Sequence, residues 1–352
     1  MSEATATKKK ALYEQRRFVF MTLDPVHIGA GGYRLGRVDN TITREPGTNL
    51  PKIPGTSLAG AARSYAAMRY GKPAAAGQHK EWQKRKKEEK DKCPILYTFG
   101  TATDGSESGT GGSRAGSVSV GDAHLLFFPV YSMAGPLWVS TEEKVREAWG
   151  ERSIGNLADK PDDKGKTVTS LVWDGDKLNL GWLLLPTVKG LQITAPEEIS
   201  GRPEWQVIAP RIVLASAKVF SQIVNSNLDV RTSVSINPET GAAEDGALFT
   251  YEAIPRAAWL WCDVVQDNYR ELNSKPDEKE NNTFQQTDRQ YNSETGEERK
   301  GEGLGETWDG PMDVVKAGCR LIEHLGIGGM GTRGFGRMRL LGNFSPENGG
   351  QQ

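Results

Sequence analysis

Only three cysteines occur in 352 residues, Cys93, Cys262 and Cys319, widely spaced and odd in number. That excludes a disulfide framework and fits a reducing compartment. No apolar run approaches the ~20 residues that a membrane-spanning helix needs. The first such run, Phe18 to Leu23, is short, and the polar Met1 to Arg17 stretch before it lacks the hydrophobic segment of a secretory signal. A soluble, cytoplasmic protein with no membrane partner is expected. The chain also lacks a Gly-x-Ser-x-Gly elbow, a dinucleotide fingerprint and, in its glycine-rich segment, the Gly-Lys-Ser/Thr ending of a P-loop. Histidine is scarce, four in all, so His27 and Asp39 near the start make too few ligands for a tight zinc site. Net charge is nearly absent at −1, yet its distribution is uneven. Residues 1–92 hold 19 Lys and Arg against 9 Asp and Glu, a balance of +10, which leaves −11 for the rest. A local basic face for nucleic acid is compatible with that asymmetry.

What is present is punctuated β structure with two helical stretches. Phe18 to Leu23 predicts a strand stopped by Asp24 and Pro25, followed by a glycine-bearing loop. From Thr56 to Tyr70 the apolar residues Leu58, Ala61, Ala62, Tyr65 and Ala66 recur at helical spacing, with Thr56 as N-cap and Gly71 as stop. Residues 78–116, with the charge run Lys80 to Lys92, read as a flexible insertion, and 273–305 as a flexible acidic one. Ser117 to Val130 predicts a strand and its flank. Ser140 with Glu143 matches a capping box before a short helix to Trp149, and further strands fall at Leu178 to Leu185, Gly190 to Thr194 and Ala258 to Val265. Asn225 to Ile236 and Ala247 to Ile254 flank a polar turn and predict a long hairpin spanning 225–254. Met312 to Leu325 reads as a helix, the cluster Gly326 to Gly336 follows, and Arg337 to Leu341 closes the fold as a strand. Together these predict an α+β sheet with helices on one face, in a single domain covering 1–352.

Several residues have chemistry beyond packing. The cluster containing Gly328 and Gly329 can bring backbone N–H groups against phosphates, with Arg333 as its only internal cation, or simply make tight turns. Asp39 can help recruit a loosely held Mg²⁺ or Mn²⁺ that also uses substrate phosphates. Spacing alone equally allows a turn carboxylate there and a loop residue at His27. His79 with Cys93 lacks a second ligand pair, and four acids interrupt the Lys80 to Lys92 run, which fits a solvated surface.

Three strings near the start resemble the opening of the RAMP superfamily. They are Pro25-Val26-His27-Ile28-Gly29-Ala30-Gly31; Leu35-Gly36-Arg37-Val38-Asp39 with Thr43-Arg44-Glu45; and Leu50-Pro51-Lys52-Ile53-Pro54-Gly55-Thr56-Ser57-Leu58. Then come Gly121-Asp122-Ala123-His124-Leu125-Leu126-Phe127-Phe128-Pro129-Val130, Gly246-Ala247-Leu248-Phe249 and the glycine-rich end. In this order they resemble the backbone subunits of type III-B (Cmr) CRISPR complexes. The resemblance implies a modified RRM or ferredoxin-like palm, with the 225–254 hairpin as a thumb. It also implies binding of guide RNA, pairing with target RNA, stacking with other copies of the chain in a filament, and association with other type III subunits. Asp39 matches the cleaving aspartate, also the site of a divalent metal such as Mg²⁺ or Mn²⁺, and His27 a nearby histidine. Arg44, Lys52, Ser57, Arg63, Arg231, Gly328, Gly329 and Arg333 are then the RNA-binding candidates. Ala59 and Tyr131 stand where the family favours basic residues. An endoribonuclease is the leading reading; a non-catalytic guide-binding scaffold and a type III-A backbone subunit are the alternatives.

Overall fold

The computed structural model describes residues 11–31, 38–77, 93–101, 114–244, 246–269, 284, 290–291, 298–299 and 308–346. Strand β1 (Tyr13–Thr22) sets the layering, because its two-residue period sends Phe18 and Phe20 into one core and Val19 into another. It begins well before the apolar run, since the polar Tyr13 to Arg17 pair along Asp263 to Asp267. The chain continues through β2 (Lys52–Ile53), α1 (Gly55–Arg69), α2 (Pro94–Phe99), β3 (Val118–Val120), β4 (Ala123–Val130), β5 (Leu137–Ser140) and α3 (Glu142–Trp149). Then come β6 (Thr167–Thr169), β7 (Lys177–Leu180), β8 (Leu183–Lys189), α4 (Pro203–Ile208), β9 (Ile212–Leu214), α5 (Ala217–Ser226), β10 (Trp259–Asp267), α6 (Pro311–Leu325) and β11 (Met338–Phe344).

These strands form one sheet in the order β11-β1-β10-β4-β5-β9-β6-β8-β7, with β2 beside β4 and β3 beside β10. The first four are antiparallel neighbours. With two intervening helices they give the succession β1-α1-β4-β10-α6-β11, the βαββαβ arrangement of a ferredoxin-like palm. The α+β class expected from the sequence is the one observed. Helices α1 and α6 cross with their backbones in contact: a Cβ on Gly318 would lie 2.1 Å from the carbonyl oxygen of Ala62. Thr56 does not cap α1. Pro54 holds the N-cap position without a side-chain bond, and Asp122 Oδ1 accepts the Gly55 N–H at 2.8 Å from across the fold.

Helices cover both faces of the sheet, not the single face expected from the sequence. α1, α5 and α6 pack on the Phe18 and Phe20 side, while Trp149 of α3 and Trp205 of α4 close over Phe127 and Trp259 on the other. The second layer is built from helices too short to leave a periodic pattern. Its α3 is capped by Thr141, which accepts from Lys144 N–H at 3.2 Å, because Ser140 is buried at the end of β5 with its hydroxyl donated to Leu126. The Leu178 to Leu185 stretch is two strands turning at Gly181 (φ 63°), and Gly190 to Thr194 contributes only an Ile193–Ile154 bridge.

The expected flexible insertion at 78–116 needs correction at its centre, where α2 buries Ile95 and Leu96, preceded by buried Cys93, in a third core with Tyr70 and Trp308. From 273–305, Phe284 enters the same core and meets Tyr97 edge-on at 5.6 Å. Of the remaining readings, Leu35 to Arg37, His79 and the Lys80 to Lys92 run lie outside the described residues, as do all of 102–113 and most of 273–305. The hairpin is shorter than the 225–254 expected, since Asn225 and Ser226 finish α5. Its outgoing strand is Asp229–Ser233 and its returning strand Phe249–Ala253. Among the described residues no helix is long and apolar enough to cross a membrane.

Candidate nucleic-acid interface

The returning hairpin strand organises the site. One edge pairs with the outgoing strand. The other receives the loop after β1: Asn40 N–H donates to Thr250 O at 3.0 Å, Glu252 N–H to Asn40 O at 3.1 Å, and Val26 and Ile254 exchange bonds of 2.9 Å. Alternation along the strand then separates two sets of side chains. Phe249 and Tyr251 pack with Met330 and Phe335, the Tyr251 and Phe335 rings lying 5.5 Å apart edge to face. Thr250 and Glu252 take the polar partners of the loop.

Asp39 is exposed and tied to Thr250 three times. Its N–H donates to Thr250 Oγ1 at 3.1 Å, while its Oδ2 accepts the Thr250 N–H at 2.7 Å and the Thr250 hydroxyl at 2.9 Å. The backbone N–H, then the hydroxyl, hold the carboxyl below the usual aspartate range, because both favour the charged form. Among the described residues nothing hydrogen-bonds to Oδ1. His27 reaches the same strand two residues on, its buried Nδ1 donating to Glu252 O at 2.7 Å and its ring meeting Tyr251 edge-on. That bond places the proton of the neutral ring on Nδ1 and leaves Nε2 as the acceptor. Gly329 N–H donates to His27 O at 2.9 Å. Gly328 (φ 83°) lies so close that a Cβ would come within 2.4 Å of His27 O. The two glycines therefore seat the glycine-rich segment on the His27 loop. Met330, left-handed at φ 66°, leads into the turn that carries Arg333.

The RNA-binding candidates divide. Arg333 lies exposed over the Phe249 ring at 5.2 Å, and Arg231 over Phe335 at 4.9 Å with an ion pair to Asp229. Both guanidiniums border the strand that holds Asp39. Arg44 is already engaged: one terminal nitrogen bonds both Glu252 carboxylate oxygens at 2.9 Å, and the other donates to Asn49 O and to Asn225 Oδ1. Glu252 also accepts the Ile42 N–H, so this half-buried clasp locks the loop to the hairpin root and the end of α5. Lys52 is paired with Asp122. Arg63 turns towards Ala75 O at 3.0 Å, where burial pushes its pKa down. Ser57 sits half-buried in the first turn of α1. Asp39, His27, Gly328, Gly329, Arg231 and Arg333 thus converge on one strand, whereas Arg63 faces the third core. Sequence reasoning missed Thr250 and Glu252, whose partners lie 208 to 211 positions away. The Gly246 to Phe249 string adjoining them was the available signal.

Among the described residues no three His, Cys, Asp or Glu side chains gather as a metal cage. One carboxylate with a free oxygen still suits a hard divalent cation that keeps water and phosphate ligands.

The profile of the RAMP superfamily matches residues 19–339. The CRISPR system Cmr endoribonuclease Cmr4 of Pyrococcus furiosus is 29% identical over 246 residues, covering 66% of this chain and 75% of the relative. A chain of a type III-B Cmr-β complex in the apo state superposes with a TM-score of 0.56 at 14% identity, over 95% of this chain and 98% of that one. A chain of a type III-B Cmr-β complex bound to cognate target RNA gives 0.55 at 15% identity, over 94% and 99%.

Proposed function

This chain belongs to the RAMP superfamily, and from that membership we propose that it is a guide-RNA-binding backbone subunit of a type III-B CRISPR effector complex that cuts complementary target RNA at Asp39. The observation that carries the reading is the state of Asp39: an exposed carboxylate anchored through one oxygen, open at the other, at the root of a hairpin bordered by two exposed guanidiniums. The endoribonuclease name of the curated relative and the target RNA in one solved neighbour support the substrate class. Guide RNA, target RNA, further copies of the chain and other subunits of the complex are the partners, in a prokaryotic cytoplasm.

In the reaction the 2′-OH beside the scissile phosphate attacks phosphorus. The new O2′–P bond forms as the bond to the 5′ oxygen breaks, and a proton must leave the first oxygen and reach the second. A-form geometry holds that hydroxyl out of line, so a hairpin that splays the target selects where the attack can occur. Among the described residues Asp39 Oδ1 faces no protein donor, and it can accept the proton. Its lowered pKa keeps the carboxyl ionised and so able to take that proton, the role of a general base. Mg²⁺ or Mn²⁺ held by Asp39 together with substrate phosphates would supply stabilisation of developing negative charge. Arg231 and Arg333 hold phosphates, or stack on bases, without reading sequence.

The test is Asp39→Asn in a complex assembled on one guide, with divalent cation present. Asn keeps the shape of the turn and an acceptor for Thr250. Target cutting should fall by about 10²–10⁴-fold while guide binding and assembly stay unchanged. Cutting at the wild-type rate would make the chain a guide-binding scaffold.

A further inference from the structure

The side chain that fixes Asp39 is itself part of the machinery. An exposed carboxylate in a loop samples several rotamers, and ordering it has an entropic cost that must be met by its neighbours. Here one residue does so. Thr250 Oγ1 gives its single proton to Asp39 Oδ2 at 2.9 Å and takes the Asp39 N–H into a lone pair at 3.1 Å. The Thr250 N–H adds a bond of 2.7 Å to the same Oδ2. Hydroxyl orientation is therefore determined, because donor and acceptor capacity are both used on one partner. Both donors fall on Oδ2, and among the described residues Oδ1 is left without a hydrogen bond. Thr250 stands in the strand whose neighbours Phe249 and Tyr251 belong to the aromatic cluster under Arg333 and Phe335. Its position is thus tied to the surface on which RNA is expected to lie.

We propose that Thr250 is the positioning residue of the cleavage reaction: its hydroxyl locks Asp39 by a reciprocal pair of hydrogen bonds and presents Oδ1 to the target strand. The inference rests on the reading of Asp39 as the cleaving carboxylate. Thr250 touches no substrate and acts only through Asp39. Serine supplies the same hydroxyl, whereas valine keeps the shape and the backbone bond but removes two of the three contacts.

The experiment compares Thr250→Val, Thr250→Ser, Asp39→Asn and the Asp39→Asn/Thr250→Val double variant in guide-loaded complexes. Each is measured for single-turnover cutting of a saturating target and for target affinity. Thr250→Val should slow cutting by about 10- to 100-fold, the range for residues that orient a functional group, with unchanged target affinity. Thr250→Ser should stay within about threefold of wild type, and Thr250→Val should add nothing to Asp39→Asn. A wild-type rate for Thr250→Val alongside an inactive Asp39→Asn overturns this inference alone. So does an equal loss in the Val and Ser variants, which would assign the residue to packing. A wild-type rate for Asp39→Asn overturns the reading of Asp39 and this inference with it.

Discussion

Glu45 shows how far a carboxylate can be committed without entering the reaction. Its Oε1 accepts from His124 Nδ1 at 2.7 Å, and its Oε2 from the Thr48 hydroxyl at 2.7 Å. Those bonds, with His124 the larger influence, lower its pKa from 4.5 to about 2. A carboxyl whose folded value lies below its unfolded one adds stability that is complete above the unfolded pKa. That stability drains away as pH falls through the folded pKa. The window is therefore about pH 4.5 down to about 2. Glu45→Gln should lower the melting temperature at neutral pH, and the gap to wild type should shrink across that window until the two curves meet. Thermal melts at several pH values decide it; a gap of constant size from neutral to acid would show that the charge of Glu45 is not what matters. Arg44 belongs to the same kind of chemistry. The sequence suggested a phosphate contact, but the guanidinium is occupied by Glu252, Asn49 and Asn225. A cation and its internal partner 208 positions apart leave no local trace of their pairing, so the residue type alone could not reveal it.

The elements that could be read in advance are the long, regular ones. α1 and α6 are fifteen residues each with one apolar stripe, and β1 and β10 alternate along a sheet buried on both sides. α3 and α4 are shorter; α3 is legible from its capping pattern at Ser140 and Glu143, α4 is not, and their tryptophans carry the second layer without any period to announce it. Pro94–Phe99 lay inside a stretch read as flexible because its neighbours are charged, although Ile95 and Leu96 are core residues. For the candidate site, Asp39, His27 and the glycines were visible as strings, whereas Thr250 became visible only when the hairpin root was in place. The hairpin also yields a prediction. Its regular ladder ends at Ser233 and Phe249; beyond it the arms meet again at the Ile236–Ala243 bridge, and Val234, Ile236 and Leu248 are exposed. Replacing residues 235–247 with a two-residue turn removes none of the contacts of Thr250, Arg231 or Phe335. The shortened protein should unfold at nearly the wild-type temperature and still bind guide, but cleavage at defined positions of a paired target should be lost. Unchanged cut positions on a sequencing gel would show that the tip does not splay the target.

Net charge across the whole molecule is a poorer guide to RNA binding than the sequence suggests, because much of it is neutralised internally. The first 92 residues carry a balance of +10, yet Arg17 is paired with Asp263 beneath Trp261, Arg44 with Glu252 and Lys52 with Asp122. Arg63 is turned into the third core. Side chains already bonded to protein release few counterions when RNA arrives, and counterion release is what makes binding depend on salt. Arg231 and Arg333 differ in exposure: Arg333 lies over Phe249 at the edge of the site, and Arg231, over Phe335, keeps one ion pair, to Asp229, that is open to solvent and therefore weak. On single-stranded RNA each phosphate contact contributes about 0.7 to the slope of log affinity against log salt. An Arg231→Gln/Arg333→Gln protein should therefore lose about 1.4 from that slope. A Lys52→Gln/Arg63→Gln protein should keep the wild-type slope even where its stability falls. Filter binding of one RNA over a range of salt concentrations gives both slopes. An equal reduction in the two double variants would return the RNA-binding charge to the start of the chain. A reduction in the second variant alone would remove the hairpin root from the path of the RNA.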